Sequence, residues 1–138
     1  MVVLHPQVTI RTADYRAVLP SEVKLTAASR QAAWFAAFIA ACYERDDAAA
    51  ALALEDLLVG PNRSALIPHF METRALAFRH GARAGGISGS GPSTFWVALS
   101  KESANEIAGA LKDLMVGKGL DHSIHLSSVK HRAAYEIT

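Results

Sequence analysis

This sequence carries no surplus of charge of either sign. Fourteen Lys and Arg stand against thirteen Asp and Glu, a net charge of +1 with histidines neutral. No strong field therefore recruits nucleic acid or an acidic membrane surface. Cysteine is nearly missing: Cys42 is alone, which excludes an internal disulfide framework and suits a reducing compartment. Its apolar helical surroundings predict a buried, inert thiol. No apolar run is long enough to span a bilayer, since the tract from Ala32 to Cys42 is too short. No basic leader with a small-residue cleavage site opens the chain, so the expectation is a soluble, cytoplasmic protein. Metal-ligand spacing is absent too. The six histidines are scattered, and His122 and His125, three apart on a predicted strand, point to opposite faces. No basic-aromatic stripe marks an RNA surface. No Ser/His/Asp arrangement can be argued, because the serines read as caps and loops. Metal, nucleic acid and membrane are all expected to be absent.

What remains is ordinary globular material: 138 residues, 51% apolar and 20% charged, enough for one domain with a real core. The run Met1 to Leu4 predicts a strand at the very start, as in a chain cut from something longer. Thr12 reads as the N-cap of a short helix, Ala13 to Val18, that Pro20 stops. Ser21 reads as the cap of a long helix, Glu22 to Arg45, with Trp34, Phe35 and Phe38 assigned to the core. Asp46 caps the next, Asp47 to Leu58. Val59-Gly60-Pro61-Asn62 breaks the pattern, and Pro68 then fits the first turn of a helix to His80. Strands are expected over Arg83–Ile87, Thr94–Leu99, Ser123–Val129 and, last, Ala133–Ile137. Ser100 caps a helix from Lys101 to Val116. Helices inserted as blocks between strands, without strict alternation, predict an α+β fold: a single antiparallel sheet of about four strands covered by helices on one side.

The chain is organised around Gly85-Gly86-Ile87-Ser88-Gly89-Ser90-Gly91-Pro92-Ser93. This loop lies between a helical segment and a strand, an order opposite to the dinucleotide fingerprint, and it lacks the Gly-Lys-Ser/Thr of a Walker loop. By itself it is equally a tight turn or a site where a ligand approaches the backbone. Arg16 and Arg63 each sit beside a proline or glycine break. A pair of arginines suits a carboxylate, because the guanidinium fork grips both oxygens.

Three segments carry a family resemblance, in order along the whole chain: Thr12-Ala13-Asp14-Tyr15-Arg16-Ala17-Val18-Leu19-Pro20, then Gly60-Pro61-Asn62-Arg63-Ser64-Ala65-Leu66-Ile67-Pro68, then Gly86-Ile87-Ser88-Gly89-Ser90-Gly91-Pro92-Ser93. Together they resemble homoserine kinase, of the GHMP kinase superfamily, in its C-terminal, ferredoxin-like domain only. The resemblance implies that residues 1–138 are that domain without the N-terminal ATP-binding domain. It implies phosphorylation of L-homoserine by ATP to O-phospho-L-homoserine, on the route to threonine, with ATP and Mg serving the full-length enzyme and none bound by this chain alone. It also implies that Thr12, Arg16, Arg63 and Gly89 bind the substrate, with Gly86, Ser88, Ser90 and Gly91 forming the glycine loop. The family's phosphate loop is not found here, so the isolated chain is expected not to turn over. His69 stands where many members have glycine. A homodimer stays open, as does a non-catalytic amino-acid-binding or dimerisation module on the same fold.

Overall fold

A computed structural model describes residues 1–129. The expected strand Ala133–Ile137 lies outside them. Four strands, β1 (Val2–Pro6), β2 (Ala84–Ile87), β3 (Thr94–Val97) and β4 (His122–Leu126), form one sheet in the order β2-β3-β1-β4. Every neighbouring pair is antiparallel. Between β1 and β2 come α1 (Thr12–Ala17), α2 (Leu25–Glu44), α3 (Asp47–Ala53), α4 (Gly60–Arg63) and α5 (Phe70–Arg79), with a 3-10 turn at Ser64–Leu66. α6 (Lys101–Gly117) joins β3 to β4. The result is the expected α+β architecture, a split β-α-β pattern.

Alternation along β1 sends Val2, Leu4 and Pro6 into the interior and leaves Val3 and His5 half-covered. On β3, Trp96 points the same way and is fully buried. α5 and α6 close over this face with Phe70, Ala77, Ile107, Leu111 and Met115. The Trp96 indole sits between Phe70 and Phe78, at centroid distances of 6.1 and 6.4 Å, within the range of favourable aromatic pairs. Gly85 makes room for it: a Cβ there would overlap the Trp96 ring.

Several local expectations change. Arg11, not Thr12, occupies the cap position of α1, and Thr12 is the first helical residue. Arg11 instead forks onto Asp14 at 2.8 and 3.0 Å. Ser21 caps nothing, because α2 begins four residues later behind Lys24. Asp46 does cap α3, its Oδ1 accepting from Ala49 N at 2.9 Å, and Ser100 caps α6 through Ser103 N at 3.1 Å. α3 ends at Ala53 and does not reach Leu58. The Asp56 carboxylate accepts from the amides of Leu58, Val59 and Gly60 at 3.0, 2.8 and 2.7 Å, which turns the chain towards α4 instead. Pro68 stands outside α5: His69 takes the left-handed conformation at φ 57° just before it. Of the three aromatics assigned to the core, Trp34 and Phe38 are half-buried and Phe35 is 64% exposed. Cys42 is exposed, not buried. The cause is shared, since α2 packs chiefly on α3 and much of its surface stays exposed. No helix among them is long and apolar enough to cross a membrane.

Candidate functional site

The loop between β2 and β3 is a hairpin connection, so Gly85 and Gly86 are strand residues and the preceding element is a strand instead of a helix. Ser88 N donates to Ser93 O at 2.8 Å, and Gly91 N to Ser88 O at 3.1 Å, which folds residues 88–93 into a tight projection. His5 Nδ1 and Ser93 Oγ, 2.8 Å apart, tie its base to β1. Gly91 adopts φ 87°, and a Cβ there would stand 2.6 Å from Tyr15 Oη and 3.2 Å from Ile67 Cδ1. Both its backbone conformation and its surroundings therefore require glycine.

Arg63 ends α4, directly beneath this loop. Its Nη1 donates to Gly89 O at 3.5 Å, a long and weak bond. Its Cζ lies 5.8 Å from the centre of the Tyr15 ring, a cation–π distance. Arg63 Nε is buried with no partner among the described residues, as is Tyr15 Oη. Burial pushes the Tyr15 phenol above its ordinary pKa, while the neighbouring Arg63 charge acts the other way.

Arg63, Gly89 and Gly91 are thus brought together, Gly89 through Arg63 and Gly91 through Tyr15. Thr12 and Arg16 are exposed on α1, four residues apart and on one side of it. Arg16 directly follows Tyr15, about a quarter-turn further round the helix. It has no ion-pair partner among the described residues. Ser88, Gly89 and Ser90 are exposed at the tip of the loop, and Gly86 pairs with Phe95 in the sheet. The nearest acid on α1, Asp14, is already held by Arg11, whose guanidinium keeps its carboxyl below the usual range. Among the described residues neither Arg16 nor Arg63 is paired with a carboxylate.

Tyr15 is the residue that the sequence signal did not single out. It lies inside the first quoted segment, but nothing in spacing or composition says that its ring will stack on an arginine nearly fifty positions away. A cleft of about 590 Å³ opens beside α4. Gly60, Pro61 and Ser64 line it together with Phe35, Phe38, Gly85 and Arg74. α4 thus borders this cleft, as does Gly86 of the glycine loop. Among the described residues no group of three or more His, Cys, Asp or Glu is placed to hold a metal ion.

Comparison with known proteins follows the same lines. A solved structure of homoserine kinase from Cytophaga hutchinsonii superposes with a TM-score of 0.88 at 32% identity, over 93% of this chain and 41% of that one. The present chain thus spans well under half the length of that relative. The family described as GHMP kinases C terminal matches residues 38–117. With the sheet order, the hairpin loop and this match in agreement, the chain belongs to the GHMP kinase C-terminal domain family.

Proposed function

We propose that this domain is the substrate-side part of a homoserine kinase, gripping the carboxylate of L-homoserine while its side-chain hydroxyl takes up the γ-phosphoryl group of ATP. The products are O-phospho-L-homoserine and ADP, on the route to threonine, and on this reading the enzyme works in the cytoplasm. The observation that carries the proposal is the junction of Arg63 with the glycine loop, next to the helix bearing Thr12 and Arg16. Likeness to the Cytophaga hutchinsonii enzyme supports it.

A guanidinium fork holds both oxygens of a carboxylate and so fixes the direction of the rest of the molecule. Two forks from different elements would leave the substrate little rotational freedom. Phosphoryl transfer depends mainly on such positioning and on charge stabilisation. Thr12 would then stand near the reacting end, and Gly89 would lie against the substrate with no side chain in the way. ATP and magnesium would be held by the remainder of a longer enzyme, and residues 1–138 alone would not turn over.

Calorimetric titration of the chain with L-homoserine tests this. Saturable binding is expected, and the amide analogue lacking the carboxylate should not bind. Arg63→Lys should weaken binding by about tenfold, since lysine offers a point charge in place of a fork. The double variant Arg16→Ala with Arg63→Ala should abolish it. Unchanged affinity in that double variant removes the assignment.

A further inference from the structure

Tyr15 touches both Arg63 and the glycine loop. It is only 2% exposed, yet it belongs to a six-residue helix whose other functional candidates face solvent. Its ring carries the Arg63 guanidinium at 5.8 Å. Its outer edge meets the loop at Gly91, where even one added carbon would collide with the phenolic oxygen. That oxygen has no hydrogen-bond partner among the described residues, so the contact is steric and the ring, more than the hydroxyl, does the holding.

We infer that Tyr15 is the positioning residue of this site: its ring face fixes the Arg63 guanidinium, and its edge sets how closely the glycine loop approaches it. The inference rests on reading the site as a carboxylate clamp. A long arginine side chain loses much rotamer freedom when it is immobilised. Stacking on a buried aromatic ring holds it before the anion arrives, so less ordering remains at the moment of binding. The Arg63 Nε–H is buried and has no acceptor among the described residues, so its signal reports on how the guanidinium is held.

The test uses residues 1–138 with Tyr15 replaced by phenylalanine and then by mono-, di- and trifluorinated phenylalanine. These rings have nearly the same shape, but fluorine drains the negative charge from the face. The buried Arg63 Nε–H is read by nitrogen–proton NMR, and L-homoserine affinity by calorimetry. Tyr15→Phe should leave the Nε–H signal and the affinity within about twofold of the parent. The fluorinated series should move the signal stepwise and weaken binding by about tenfold at its end, in proportion to the lost cation–π attraction. Tyr15→Leu should erase the distinct signal. An Nε–H signal that stays put across the fluorinated series overturns the inference, as does a Tyr15→Phe variant that loses the signal. If the parent chain fails to bind L-homoserine, the ligand assignment falls, while the Nε–H series still decides the role of Tyr15.

Discussion

His69 holds a left-handed backbone conformation, φ 57° and ψ 20°, that glycine adopts freely and residues with a Cβ seldom do. Its imidazole Nδ1 is 2.8 Å from Glu72 Oε1, an exposed contact of small value. The strain is the larger effect. His69→Gly should therefore raise the unfolding free energy by about 0.5 kcal/mol, and His69→Val should lower it by about 1 kcal/mol or more. Urea denaturation of the two variants checks this, and a destabilised glycine variant would contradict it. The left-handed φ is the physical reason glycine would suit this position. Pro68 suggested a helix start by its fixed φ, but the left-handed residue after it delays the helix. Asp46 and Ser100 were legible as caps because their side chains need only reach the following turn. Thr12 and Ser21 were not, since whether a helix starts there depends on what holds the preceding chain.

Among the elements, the end of α6 is joined to α5 by one carboxylate. Glu72 Oε2 receives Lys118 Nζ at 2.6 Å, and Oε1 faces His69. Lys118 first, then His69, holds the Glu72 carboxyl below its usual pKa. A depressed carboxylate pKa contributes stability that is present above the unfolded value, near 4.5, and disappears as the pH falls through the folded one. Melting temperature should accordingly drop between about pH 5 and pH 3, and the drop should be smaller in Glu72→Gln. Thermal melts across that range decide it, and equal slopes in parent and variant would refute the link. The order of elements and the four-strand antiparallel sheet followed directly from glycine breaks and strand-like runs. What could not be read was which helix faces would be covered. Phe35 and Phe38 look alike in sequence and both border the cleft, yet Phe38 is half-buried and Phe35 stays 64% exposed. Arg63 and the glycine loop were visible as separate motifs, whereas the tyrosine joining them needed three dimensions.

At the scale of the whole molecule, the sheet with α5 and α6 forms one tightly filled unit, and α2 with α3 forms another that leans on it lightly. Tyr43, 87% exposed on α2, measures how little covers that helix. Amide hydrogen exchange should separate the two units: α2 and α3 should exchange about tenfold or more faster than β1, β3 and α6, because they can open without disrupting the core. Uniform protection throughout would show a single cooperative unit instead. The middle of the sheet also has an unusual parentage. Its two inner strands are residues 2–6 and 94–97, drawn from distant points along the polypeptide. Such non-local pairing makes closure slow, because a long loop must be gathered before any contact repays it. During synthesis, then, β1 must wait for roughly ninety further residues of this chain before β3 is there to pair with it. The arginine-and-loop site waits nearly as long, because residues 88–93 come just before β3.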